Sequence, residues 1–89
     1  MRPITHHFET SRRLRGHFEM WPKYILYIDY QYINDQIHII TAELHSRNNY
    51  GWLIVGRELH PLIARQYGDE LRAQALSDFE QLKNEADNG

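Results

Sequence analysis

Residues 23–33 read KYILYIDYQYI, and after the polar break Asn34-Asp35-Gln36 residues 37–44 read IHIITAEL. Both runs are rich in β-branched and aromatic residues, which suit a pleated, half-buried strand. Four of the six tyrosines of the chain lie within nine residues of the first run, at positions 24, 27, 30 and 32. The two runs therefore predict a β-hairpin, and this hairpin decides the fold.

Pairing Ile33 with Ile37 sorts the side chains of the predicted hairpin onto two faces. Leu26 then lies opposite Leu44, and a shift of one residue would mix apolar and charged side chains on each face. The more apolar set is expected to face the core: Tyr24, Leu26, Ile28, Tyr30, Tyr32, His38, Ile40, Ala42 and Leu44. The mixed set is expected to face away from it: Ile25, Tyr27, Asp29, Gln31, Ile33, Ile37, Ile39, Thr41, Glu43 and His45.

Two further strands are predicted on either side of the hairpin. Residues 13–21 alternate apolar and polar side chains, which favours a strand over the rival helix suggested by the spacing of Leu14, Phe18 and Trp21. Pro22 is expected to end this strand because proline cannot donate to a sheet ladder. Residues 51–56 (GWLIVG) predict a short apolar strand bounded by glycines.

The C-terminal third predicts helices. Pro61–Tyr67 is expected to form one short helix that Gly68 ends, and Asp69 is expected to cap a second helix reaching to about Glu85. One apolar stripe follows the second helix: Leu71, Ala75, Phe79, Leu82 and Ala86. The predicted fold is α+β, a three- to four-stranded antiparallel meander packed on one face by C-terminal helices. It forms a single domain over residues 1–89, with 1–11 as a flexible arm and 84–89 as a frayed tail.

Composition limits the classes of protein to which the chain can belong. The chain has no cysteine, which excludes disulfides, thiolate metal sites and thiol catalysis. No apolar run approaches the roughly 20 residues that span a bilayer, so no membrane association is expected. The N-terminal residues lack the apolar segment of a signal peptide, and a cytoplasmic location is the expectation.

Charge is unevenly distributed along the sequence. Residues 1–23 hold five basic residues against two acidic ones, whereas residues 57–89 hold four basic against seven acidic ones. The basic segment suggests an alternative function, nucleic-acid binding through Arg12, Arg13, Arg15 and Lys23. The overall net charge of −2 argues against it, since nucleic-acid-binding domains are typically strongly basic.

Two groups of residues resemble chemical sites. His6-His7 with Glu9 contains metal-ligating types, but adjacent side chains of an extended segment point to opposite sides. Asp29, Glu43 and His45 lie together on the mixed hairpin face, where a carboxylate pair could bind an ion or move a proton. A solvated polar sheet face explains the same pattern. We therefore expect no enzyme activity, no cofactor and no metal.

The aromatic and aliphatic content of the mixed hairpin face predicts a binding surface. Exposed apolar patches rimmed by polar residues mark association sites. The alternative is that the N-terminal strand or arm folds across this patch. We expect a small accessory, regulatory or inhibitory module that binds another protein, or itself as a homodimer. The predicted binding residues are Ile25, Tyr27, Asp29, Gln31, Ile33, Ile37, Ile39 and Glu43.

Overall fold

The computed structural model describes residues 12–48 and 51–88, and their side chains as far as Asn84. Predictions about the N-terminal arm and about His6, His7 and Glu9 lie outside the described residues. The elements are β1 (Leu14–Met20), β2 (Tyr24–Ile33), β3 (Gln36–Ser46), β4 (Trp52–Ile54), a 3₁₀ turn (Arg57–Leu59) and α1 (His60–Asn88). The strands form one antiparallel sheet in the order β1-β2-β3-β4, with α1 on one face. The α+β meander is confirmed, as are the strand before Pro22 and the short strand after Gly51.

The β2–β3 hairpin keeps the predicted register at one end and loses it at the other. Leu26 pairs with Leu44 and Asp29 with Thr41, as predicted. From Tyr30 onward the register shifts by one residue, and Ile33 pairs with Gln36 instead of Ile37. The turn contains two residues, Asn34 and Asp35, with φ of 53° and 66°. Such a turn matches the twist of a hairpin, and a bulge in β3 absorbs the extra residue.

This shift corrects the predicted positions of three side chains in β3. Ile37 now pairs with Tyr32 and Ile39 with Tyr30, so both isoleucines lie on the helix side and pack against the core. His38, predicted to face the core, pairs with Gln31 and is exposed. Ile37 and Ile39 therefore do not belong to the face that was predicted to bind a partner.

The two predicted helices are one helix of 29 residues. Gly68 does not adopt positive φ and lies in its interior, so the prediction that Gly68 ends a helix is wrong. Packing on the sheet outweighs the intrinsic cost of about 1 kcal/mol for an interior glycine. Leu71 and Ala75 of the predicted stripe are buried, Phe79 is half-buried and Leu82 is 38% exposed. The contact with the sheet is therefore strongest in the middle of the helix.

Tyr30 joins the sheet to this helix. Its ring is fully buried, and its hydroxyl lies 2.9 Å from Leu71 O and 2.6 Å from Gln74 Oε1. Gln74 Nε2 donates to Arg15 O at 3.1 Å, which extends the contact to β1. The glycine at position 16 lets the Leu71 side chain of the helix lie close to β1, because a Cβ atom at Gly16 would stand 2.8 Å from Leu71 Cδ2.

The continuous helix predicts the effect of Gly68→Ala. Apart from the adjoining residues and the backbone of the helix itself, no described atom lies within 4 Å of the position that an alanine Cβ would take, and the backbone is not left-handed. The substitution should raise the free energy of unfolding by about 0.5–1 kcal/mol, because alanine loses less backbone entropy than glycine. Urea denaturation followed by circular dichroism measures this change. A loss of stability would show that the chain does need a glycine here.

The buried phenol predicts a pH-dependent contribution to stability. Burial, with a smaller contribution from the charge of Asp78, raises the pKa of Tyr30 to about 12 from its ordinary value of 10.0. The neutral phenol is favoured in the folded state, so its contribution is complete below about pH 10 and is lost as the pH rises through about 12.

Tyr30→Phe should therefore lower the free energy of unfolding by about 1–3 kcal/mol at neutral pH, since Gln74 loses a buried donor. The difference from wild type should shrink above about pH 10. Tyr24→Phe, at an exposed ring of the same strand, is the matched control and should change stability by less than about 0.5 kcal/mol. A difference between Tyr30→Phe and wild type that stays constant up to about pH 12 would contradict this account.

Candidate functional site

The side of the sheet that faces away from α1 carries a dense set of aromatic and charged side chains. Residues that pair across antiparallel strands share a face, so the register defines this surface from β1 to β4. We call it the outer face. Its members are Arg15, His17, Glu19, Ile25, Tyr27, Asp29, Gln31, Ile33, Gln36, His38, Thr41, Glu43, His45, Trp52 and Ile54.

An aromatic row crosses the outer face from β1 to β4. Tyr27 is at its centre, 6.0 Å from the His17 ring on one side and 4.7 Å from the His45 ring on the other. His45 in turn stacks near Trp52 at 6.1 Å. The Arg15 guanidinium lies 4.6 Å above the Tyr27 ring, in cation–π geometry. Each strand contributes at least one ring or cation to this row.

The charged groups of the outer face are paired with one another. Arg15 lies between two carboxylates, 3.5 Å from Asp29 Oδ1 and 3.8 Å from Glu43 Oε1. Glu43 is also 2.9 Å from His45 Nε2, and Thr41 Oγ1 donates to Asp29 Oδ2 at 3.2 Å. The predicted proximity of Asp29, Glu43 and His45 is thus observed, but Arg15 supplies the positive charge between the carboxylates. Among the described residues no group of three His, Asp or Glu side chains is arranged to hold a metal ion.

The four cations of the predicted nucleic-acid site do not form one patch. Arg12 pairs with Asp78 of α1 at 3.2 Å, whereas Arg15 is bound on the outer face. Arg13 and Lys23 lie at opposite ends of β1, and both are exposed. The structure therefore distributes these charges over both sides and both ends of the strand.

A further cation of this region also has an acidic partner. Arg47 donates to Glu19 Oε1 at 2.8 Å. This hydrogen bond, with the charge of Arg47, holds the pKa of the Glu19 carboxyl below its ordinary value. Arg47 thus adds little free positive charge for binding phosphates.

Sequence reasoning missed the most exposed apolar residues of the sheet. Trp52, Leu53 and Ile54 are 58–63% exposed. The GWLIVG run predicts a strand but not its position at the edge, where β4 has a neighbour on one side only. The available signal was the position of the run, because the last strand of an antiparallel meander lies at an edge of the sheet.

A second apolar feature lies on the helix side, where α1 begins. Met20, Leu44, Val55, Leu59 and Leu62 line a groove of about 230 Å³ between the sheet and the first turns of the helix. Leu59 and Leu62 are 45% and 57% exposed. The apolar surface around β4 thus continues over the edge of the sheet from the outer face to the helix side.

Comparison with protein-family models, curated proteins and solved structures gives no match to this chain. Among the described residues, no helix combines the length and apolar character needed to cross a membrane.

The partly exposed ion pairs of Arg15 predict a small, salt-dependent effect of Arg15→Gln. The side chain is half exposed, so losing both pairs should lower the free energy of unfolding by less than about 1 kcal/mol at low salt, and by less still at 1 M salt. Urea denaturation at both salt concentrations measures this, with Arg65→Gln on the exposed helix surface as control. A decrease in the free energy of unfolding above about 3 kcal/mol would contradict this prediction and show that the fold itself depends on Arg15.

Proposed function

We propose that this chain is a non-enzymatic protein-interaction module, and that a protein partner docks on the outer face. The observation that carries the proposal is the aromatic row His17–Tyr27–His45–Trp52 on the side of the sheet that no other described element covers. The helix covers the opposite side, so burial of the outer face depends on something outside the described fold.

The composition of the outer face supports recognition of a protein. Tyrosine, tryptophan and arginine are the residues most enriched among those that dominate binding energy. Here Tyr27 and Trp52 belong to one row with Arg15 stacked on its centre. Asp29, Gln31 and Glu43 surround this centre as a polar rim, and Ile25 and Ile33 extend it along β2.

The internal contacts of the outer face also support binding. Arg15 is held by two carboxylates and by the ring of Tyr27, and His45 is held by Glu43. Side chains already fixed in one arrangement lose less conformational entropy when a partner covers them. The same pairing leaves the carboxylates occupied, which favours recognition over acid–base chemistry at this site.

Nucleic-acid binding receives less support. A phosphate-binding surface needs several cations free of acidic partners on one side. Arg12 and Arg15 have carboxylate partners on opposite sides of the sheet. Besides its histidines, the outer face carries one cation, Arg15, and three carboxylates, those of Glu19, Asp29 and Glu43, so its charge does not favour a phosphate backbone.

Tyr27→Glu tests the proposal directly. The ring is half-buried at the centre of the outer face, and a carboxylate there would lie opposite Glu43. If Tyr27 is a binding hot spot, the substitution should weaken partner binding at least about 30-fold, because hot spots contribute about 2 kcal/mol or more. Tyr27→Ala, which adds no charge, should weaken binding in the same direction.

The experiment compares tagged wild-type chain with Tyr27→Glu, Tyr27→Ala and the control Arg65→Glu in cells that produce the protein. Captured proteins are quantified, and the affinity of the purified partner is then measured by calorimetry at two salt concentrations. We expect one defined protein that wild type and Arg65→Glu retain and both Tyr27 variants lose. Equal capture by folded Tyr27 variants would contradict the proposal. Recovery of nucleic acid with steeply salt-dependent affinity would replace it with the alternative.

A further inference from the structure

Within the described part of the chain, the outer edge of β4 is a free strand edge. β4 is the last strand of the sheet, and it pairs with β3 through Trp52, Leu53 and Ile54. No described residue pairs with its other side. A free edge offers unpaired backbone N–H and C=O groups to any strand that can align with it.

The hydrogen bonds flanking β4 show which backbone groups point outward. Val55 N donates to Ala42 O at 2.8 Å, and Ser46 N donates to Gly51 O at 2.9 Å. In an antiparallel ladder these bonds make Leu53 and Leu44 the pair that exchanges hydrogen bonds. The N–H and C=O groups of Trp52 and Ile54 therefore point away from β3, toward the free side.

This edge lacks the devices that usually prevent edge pairing. Natural edge strands carry charged residues, prolines or bulges that block another strand. Residues 51–56 read GWLIVG and contain no charge and no proline. All three strand residues expose more than half of their surface. Both the backbone and the side chains of β4 are therefore available for pairing.

We propose that β4 pairs antiparallel with β4 of a second copy of this chain, about a two-fold axis at Leu53, to form a continuous eight-stranded sheet. In this register the outward groups of Trp52 meet those of Ile54 from the second copy. Two hydrogen bonds form on each side of the axis, four in total. The two-fold axis relates β4 of one copy to β4 of the other, so both copies use the same residues, as the isologous interface of a symmetric dimer requires.

The side chains of β4 are also self-complementary in this register. Trp52 of one copy lies opposite Ile54 of the other on the outer face, which makes an aromatic–β-branched pair twice. Leu53 lies opposite its own counterpart on the helix side. Leu59 and Leu62 are exposed on that same side and extend the apolar contact beyond the strand.

The available area predicts a reversible dimer. The exposed parts of these five apolar side chains offer on the order of 500 Å² per chain, somewhat less than the roughly 800 Å² per partner of a standard stable interface. We therefore expect association that depends on protein concentration in the micromolar range.

Pairing at this edge goes beyond docking on the outer face and does not require it. Tyr27 belongs to β2, which β3 separates from β4. Pairing would place the two outer faces side by side, so one dimer would present two copies of the aromatic row. A protein with two such surfaces gains avidity toward a repeated or dimeric partner.

Charge swapping at Leu53 tests the dimer. In the proposed register the two residues at position 53 form a non-hydrogen-bonded pair, in which side chains approach to about 4.5–5.5 Å. Leu53→Lys and Leu53→Glu should therefore each prevent self-pairing, and an equimolar mixture of the two should form a heterodimer. Sedimentation velocity across protein concentrations measures the masses, and circular dichroism checks the fold. Leu82→Lys, at an exposed leucine near the far end of α1, is the matched control and should dimerise as wild type does.

Ile54→Pro provides a second test that adds no charge. It removes one outward N–H and leaves the bond from Val55 to Ala42 available. We expect it to weaken dimerisation at least about tenfold while the monomer stays folded.

Three results would overturn the proposal: a wild-type chain that stays monomeric up to about 1 mM, folded Lys and Glu variants that dimerise separately, or a mixture that gains no mass over its components. Tyr27→Glu should keep the dimer and lose partner capture, whereas Leu53→Lys should lose the dimer. Failure of either proposal is thus distinguishable from failure of the other.

Discussion

The packing of Tyr30 between the sheet and α1 is the contact on which the rest of the arrangement depends. Its buried hydroxyl reaches the helix at Leu71 and Gln74, and Gln74 reaches back to β1 at Arg15 O. Because side chains alternate along a strand, fixing Tyr30 inward also fixes Leu26, Ile28 and Tyr32 inward. The intervening residues of β2, among them Tyr27 and Asp29, are thereby committed to the outer face.

Sequence alone predicts the meander and most of this sorting. The alternation in β2 is long enough to specify both faces, and the pairs from Ile25–His45 to Asp29–Thr41 follow from matching apolar residues across the hairpin. The sorting onto the mixed hairpin face also predicts that Asp29, Glu43 and His45 lie close together. These predictions depend on the alternation of side chains along a strand with a period of two residues, which can be recognised in a single sequence.

The errors arise where local geometry overrides that period. Asn34 and Asp35 both tolerate positive φ, so they form a two-residue turn without glycine. The bulge that follows reverses the orientation of Ile37, His38 and Ile39, and no pattern of apolar residues reveals it. Gly68 misleads for a related reason: glycine ends a helix only where a left-handed residue is needed, and packing of the flanking turns can carry the helix through it.

The high exposure of Trp52, Leu53 and Ile54 results from the order of the strands and not from the composition of the chain. Among the described residues, a meander of four strands leaves β4 with one neighbour, and no other element covers its side chains or its outer backbone groups. The aromatic row ends at this edge, at Trp52. The outer face and the β4 edge are therefore adjacent surfaces with different chemistry. One presents fixed aromatic and charged side chains, and the other presents hydrogen-bonding groups of the backbone.

The proposed function requires that the outer face stays open to a partner in the 89-residue chain. The absence of cysteine permits a direct measurement, in which single cysteines are introduced into the 89-residue chain and their labelling rates with a thiol reagent are compared. Tyr27→Cys, Asp29→Cys and Gln31→Cys, at half-buried positions, should react at least about ten times faster than Ile28→Cys and Ala42→Cys at buried positions, and Lys83→Cys gives the rate of an exposed site. Protection at positions 27, 29 and 31 equal to that at 28 and 42 would show that the chain covers its own outer face, and would contradict the account.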